Sequence, residues 1–216
     1  DHPVYYRWRP IFTVLLGTGC RISEILGLRW KDLDYEKGVI NINHSVTYYP
    51  RSDGNYRCEF QVSKPKTDAG IRTIPMMQQV RDAFLEEEAI QKETGVKNKV
   101  EVDGMTGFIF CNRFGNLHNP QAINRAIKRI TESHNSEEIV KAKKENRPPV
   151  IIPHFSCHNL RHTFCTRFCE NETNVKVIQA VMGHANIRTT MNIYAEVTDM
   201  KKREVMEELS RNMHIF

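Results

Sequence analysis

His158-Asn-Leu-Arg161-His162, Gly183-His184 and Met191-Asn-Ile-Tyr194-Ala lie in one stretch whose reading decides the fold. Leu160, Phe164 and Phe168 recur at i, i+4 and i+8, so a helix is expected from His158 to about Glu170. A second helix is expected over 174–182, ended by Gly183, and a third over 186–193. The stretch also gathers imidazoles, a guanidinium and a phenol. With a pKa of about 10, a phenol is a poor nucleophile at neutral pH. It becomes useful where fixed cations stabilise both the phenolate and the charge that builds up on its target, which points to a phosphate ester.

Working outward, residues 10–17 read as a buried helix with Pro10 in its first turn, broken at Thr18-Gly19. The next helix begins near Arg21, with Ile22, Ile25 and Leu26 as its apolar face and Glu24 in its first turn. Arg21 therefore sits at a helix N-terminus, where free N–H groups and the dipole already favour an anion. Asp32, Asp34 and Glu36 alternate in a polar turn, with no distant carboxylate cluster to complete a two-metal site. From Gly38 the period changes to two, and strands are expected over 39–43, 46–49 and 56–62, with a turn at 50–55. A further hairpin is expected at Thr67-Asp-Ala-Gly70, with Lys64 and Lys66 just before its turn and a strand over 71–75 after it. A helix over 77–93 should point Val80, Phe84 and Leu85 inward. A polar loop over 94–104 and a short strand over 108–111 follow it. Asn119-Pro120 starts an amphipathic helix with Ile123, Ala126, Ile127 and Ile130. The very basic segment 137–147, closed by Pro148-Pro149, reads as a mobile excursion. The last helix, 199–213, carries the stripe Val205, Leu209 and Met213 and leads to an apolar end suited to docking on another subunit.

Composition bounds the partners. The chain has 216 residues, 40% of them apolar and 26% charged, and a net charge of +5, which permits a nucleic-acid partner without requiring one. The longest apolar run, Ile11 to Leu16, is far shorter than the roughly 20 residues of a membrane span. The start Asp-His-Pro, with neither an initiator Met nor a signal peptide, suggests an excised domain. None of the six cysteines forms a C-x-x-C pair, so reduced thiols in a cytoplasmic protein are expected. His162, Cys165 and Cys169 share a helix face but lack a fourth ligand at a familiar spacing, and no metal is expected.

Several separate motifs then carry a resemblance. Thr18-Gly-Cys-Arg-Ile-Ser-Glu-Ile-Leu-Gly-Leu-Arg-Trp30, Pro65-Lys-Thr67 with Arg72-Thr-Ile-Pro75, His158-Asn-Leu-Arg-His-Thr-Phe164, Met182-Gly-His184 and Tyr194 span nearly the whole chain. Together they resemble the catalytic domain of a tyrosine recombinase of the phage and transposon integrase family, integrases of conjugative transposons in particular. The resemblance implies an α+β fold, mainly α with a small antiparallel sheet. It places the active site on Arg21, Lys66, His158, Arg161, His184 and Tyr194, with Lys64 as the alternative to Lys66. Lys64, Thr67 and Arg72 are expected DNA contacts. Tyr194 would attack a DNA phosphorus while Arg21 and Arg161 hold the non-bridging oxygens and His184 donates a further hydrogen bond. His158 would take the phenolic proton and Lys66 would protonate the leaving 5′ oxygen.

By the same resemblance the function is site-specific recombination of double-stranded DNA at the ends of a mobile element, through a 3′-phosphotyrosine intermediate and a Holliday junction. No cofactor, metal or ATP is expected. Four protomers would assemble on the DNA, with residues 1–199 as catalytic domain, 200–216 docking in trans, and N-terminal arm-binding and core-binding domains absent. Two other readings stay open: a type IB topoisomerase, and a non-catalytic helix-turn-helix module over 175–195.

Overall fold

The computed structural model describes residues 5–50, 58–65 and 68–212. Helix α1 (Arg9–Thr18) starts with Pro10 in its first turn and ends at Gly19, whose left-handed φ of 60° caps it. Its buried face, Ile11, Val14 and Leu15, packs in the main core with Ile25 and Leu26 of the short helix α2 (Ile22–Gly27). Strands β1 (Leu33–Asp34) and β2 (Val39–Ile42) follow, then β3 (Ser45–Pro50) and β4 (Cys58–Ser63). β3 and β4 pair antiparallel as a separate sheet over a small third core of Val46, Val102, Phe108 and Leu117. The expected turn at 50–55 falls largely outside the described residues.

Strand β5 (Arg72–Pro75) corrects one expectation. It does not form a hairpin with β4; it pairs antiparallel with β2, Ile40 opposite Ile74 and Ile42 opposite Arg72, in a sheet ordered β1-β2-β5. Pro65 has no N–H to donate to a ladder, and Asp68–Gly70 turns as a 3₁₀ segment, so the chain leaves one sheet for the other. Ile40, Ile42 and Ile74 then share one buried face against the main core. This crossing brings the start of β5 towards the C-terminal helices.

Helix α3 (Gln78–Thr94) buries Val80, Ala83 and Phe84, but Leu85 is 45% exposed, because Glu87 and Gln91 turn inward instead. The expected strand at 108–111 is present only as isolated bridges, Arg29 to Phe108 and Cys111 to Leu117. Asn119 caps helix α4 (Pro120–Lys144), accepting from Ala122 N at 2.7 Å. The basic segment is therefore helix and no loose excursion. Lys128–Glu132 and Lys141–Glu145 pairs at i, i+4 lie along it, and Arg147 folds back onto Glu138 just after its end.

Helices α5 (Cys157–Asn171) and α6 (Val175–Met182) form as expected. The last two expected helices are one, α7 (Ile187–Asn212), since no Gly or Pro interrupts the chain between its ends. Tyr194 thus lies inside a long helix. The stripe Val205, Leu209 and Met213 lies outside the residues whose side chains are described. A second core of Cys165, Cys169, Ile178, Met182 and Val197 joins α5, α6 and α7. Among the described residues no helix is long and apolar enough to cross a membrane.

Candidate active site

The site is built around the last turn of α6. A helix ends with carbonyls that lack N–H partners and carry partial negative charge, so cations gather there. Here three consecutive carbonyls each accept from a different arginine. Val181 O takes Arg72 Nε at 2.7 Å, Met182 O takes Arg161 Nη2 at 2.7 Å, and Gly183 O takes Arg21 Nη2 at 3.2 Å. The three side chains come from β5, from α5 and from the N-terminal cap of α2. Gly183 has a left-handed φ of 63°, and a Cβ there would lie 2.8 Å from Arg72 Nη1. The left-handed backbone favours glycine there, and any side chain would also press on the guanidinium.

Arg161 is almost fully buried and has a second anchor, Gly19 O at 2.6 Å, the cap of α1. Burial first, and then the neighbouring guanidiniums of Arg21 and Arg72, lower its pKa to about 10. It stays a cation at neutral pH, in a place that an added anion would relieve. Arg21 keeps 44% of its side chain exposed. Its Nη1 donates to Glu24 Oε1 at 2.9 Å and its backbone N–H to Glu24 Oε2 at 2.8 Å. Arg72 grips the same carboxylate through Nη1 at 3.1 Å and Nη2 at 2.9 Å. Burial disfavours the charge on Glu24, but the Arg72 and Arg21 contacts outweigh it and hold the carboxyl below the usual glutamate range. One carboxylate among three guanidiniums leaves this corner strongly positive.

His184 follows Gly183 directly. Its Nδ1 pairs with Thr190 Oγ1 of α7 at 2.9 Å, and Gln179 Nε2 donates to its carbonyl at 3.0 Å. Burial, then Arg161, Arg21 and Arg72, push its pKa down to about 4, so the ring is neutral at pH 7. His184 and Arg161 line a cleft of about 390 Å³ with His158, His162, Asn186, Arg188 and Asn192. His158 and Arg161 stand three residues apart on the first turns of α5 and so share a face.

Tyr194 does not line the cleft. Its ring is half-buried against the second core, one residue beyond Asn192 and Ile193, which do line it. Lys64 is exposed just after β4, whereas Lys66 and Thr67 lie outside the described residues. Arg72, an expected DNA contact, has a side chain only 6% exposed, and its donors go to Glu24, Val181 and Gly70, because the crossing into β5 turns it inward. Cys165 and Cys169 are buried in the second core, and no group of three metal-ligating side chains occurs among the described residues. A separate cavity of about 400 Å³, lined by Trp8, Glu87, Phe110 and His118 among others, contains none of these predicted residues.

Sequence reasoning missed two partners. Glu24 stands three residues after Arg21, the spacing of a capping box, which could have marked it as the carboxylate that holds Arg21. Nothing local marks Thr190 as the partner of His184.

A family model described as Phage integrase family matches residues 1–201. The chain is 34% identical over 198 residues to the transposase from transposon Tn916 of Enterococcus faecalis, covering 92% of this chain and 44% of that protein. It is 29% identical over 213 residues to a tyrosine recombinase XerC-like protein of Caldanaerobacter subterraneus subsp. tengcongensis, covering 95% of this chain and 49% of that protein. Among solved structures it is similar to the Tn1549 transposon integrase in complex with a circular intermediate DNA, with a TM-score of 0.76 and 31% identity. That match covers 97% of this chain and 60% of the other. The chain thus spans about half the length of the curated relatives it matches.

Proposed function

The chain belongs to the phage integrase family, and from that premise we propose that it is the breaking and rejoining domain of a site-specific DNA recombinase that moves a mobile element. The observation that carries the reading is the pair Arg21 and Arg161, held by adjacent carbonyls of α6 beside a neutral His184. Two fixed guanidiniums and one imidazole suit the oxygens of a phosphodiester that gains charge as it is attacked. The relatives point the same way: the Tn1549 integrase was solved with circular intermediate DNA and, separately, with transposon right end DNA.

In this mechanism the phenolic oxygen of Tyr194 bonds to phosphorus as the bond to the 5′ oxygen breaks. The phenolic proton passes to His158, and Lys66, or Lys64 beside it, protonates the leaving oxygen. The products are a 3′-phosphotyrosine ester and a free 5′ hydroxyl. One ester replaces another of similar energy, so a second 5′ hydroxyl can reverse the step without ATP. Arg21 and Arg161 hold the added negative charge, a task that calls for no metal. Because the Tyr194 ring packs on the second core, attack requires it to turn from that core towards the cleft. The working assembly is four protomers on two duplexes in the cytoplasm, with residues 200–216 docked on a neighbour.

The test is covalent trapping on a nicked duplex cut from the element's own ends. The unaltered chain should form a protein–DNA adduct and Tyr194→Phe none, with DNA affinity retained. An adduct of equal yield in the Phe variant sinks the proposal. Relaxation of supercoiled DNA without site preference would favour a topoisomerase. In the same trapped complexes, removal of 200–216 should reduce the four-protomer species.

A further inference from the structure

We infer that Arg72 is a positioning residue for strand cleavage: it ties Glu24, and through it Arg21, to the α6 turn that carries His184, without touching DNA. The inference rests on the recombination reading above. The donors of Arg72 all end inside the protein. Nε goes to Val181 O at 2.7 Å, Nη1 and Nη2 go to the two oxygens of Glu24, and Nη1 also reaches Gly70 O at 3.3 Å. Nη2 lies 3.7 Å from the Cys20 sulfur as well. A guanidinium with this set of contacts behaves as a rigid bracket, because its planar fork fixes several partners at once.

Two of these partners, Glu24 and Val181, sit one link from the proposed chemistry. Glu24 is the carboxylate that Arg21 leans on through both its side chain and its backbone. The Val181 carbonyl belongs to the same turn as Met182 and Gly183, whose carbonyls hold Arg161 and Arg21. The guanidinium of Arg72 lies directly against Gly183, and its bond to the Val181 carbonyl holds the turn to β5. Without Arg72, Glu24 would keep Arg21 as its only cationic partner, and the α6 turn would lose its tie to β5. Arg21 would then lose the bracket behind its carboxylate, while Arg161 would keep only its own two carbonyl anchors. Displacements of about 1 Å at such a site cost about 10²-fold in rate.

The experiment compares the unaltered chain with Arg72→Lys and Arg72→Met in single-turnover trapping on the nicked end duplex, with DNA affinity measured at several salt concentrations. Lysine keeps the charge but cannot hold Glu24 bidentately and Val181 together. The rate constant of adduct formation should fall about 10-fold for Lys and about 100-fold for Met, the scale of a misplaced reacting group. The plateau of adduct, which reports the folded fraction, should stay near that of the unaltered chain for Lys. Affinity and its salt dependence should be unchanged. A lowered plateau with an unchanged rate constant would overturn the inference in favour of a merely structural role. Weaker binding with a log–log salt slope reduced by about 0.9 would overturn it in favour of a direct phosphate contact. Combining Arg72→Lys with Glu24→Gln should slow cleavage little beyond the worse single variant; multiplicative losses would also count against the bracket. If Arg72→Met fails to fold, Arg72→Lys and the Glu24 pairing decide alone. If the unaltered chain forms no adduct, the recombination reading falls first and this inference falls with it.

Discussion

Arg161 and Tyr194 project from helices that pack on each other, yet opposite kinds of force hold them. Arg161 is pinned by two hydrogen bonds of 2.6 and 2.7 Å to the carbonyls that end α1 and α6. Tyr194 rests on a small apolar cluster of Cys165, Cys169, Ile178, Met182 and Val197. Hydrogen bonds are directional and fix a group to within a few tenths of an ångström, whereas apolar burial is not directional and tolerates sliding. The cation cluster is therefore the fixed half of the site. The helix that carries the phenol is the adjustable half.

The sharpest way to break this contrast is to remove a fixed cation. Arg161→Met should lower the rate constant of adduct formation by about 10³-fold, the scale of losing a preorganised oxyanion partner. A loss under ten-fold in single-turnover trapping would mean that the pinned half does little for the chemistry. The second perturbation acts on the adjustable half. Ile178 is fully buried in the second core, and Ile178→Ala should cost about 2–4 kcal/mol. Hydrogen exchange should then quicken along α7 while the backbone of α1 and α3 keeps its protection. Equal loosening of all three helices would show that the two cores behave as one.

The third and smallest effect is a pH dependence of stability. His184 has a folded pKa of about 4, below the ordinary 6.5, so the unfolded chain takes up a proton first as pH falls. Stability from this group is complete above pH 6.5 and is lost between 6.5 and 4, up to roughly 3 kcal/mol for the full shift. His44 and His118, also held below the usual range chiefly by burial, add to the same slope. Thermal melts of the unaltered chain and of His184→Gln across pH 4 to 7 should show a shallower fall for the variant. Identical slopes would place His184 in a wetter setting than its contacts imply.

Much of this was legible in the sequence wherever local rules governed. Arg21 at the start of α2, Gly183 at the end of α6 and Asn119-Pro120 at the start of α4 all follow from capping and turn chemistry. What escaped depended on distant partners. The partner of β5 is β2, more than 25 positions earlier, and local alternation cannot choose between β2 and β4. The pairing of Arg72 with Glu24 was not legible, because the two stand 48 residues apart. The second half of α4 read as loop because a run of lysines resembles a solvated tail until its i, i+4 acids and the return of Arg147 are counted. Lys66, expected in the site, lies outside the described residues.

The carbonyls that hold Arg161 have one further consequence. An amide oxygen carries no net charge and does not titrate in the range where proteins stay folded, so its grip on the guanidinium is insensitive to acidity. A carboxylate in the same place would neutralise the cation and compete with any incoming anion. Anchored as it is, Arg161 keeps its whole formal charge available to a guest while remaining immobile. Attraction for an anion is thereby uncoupled from the means of support.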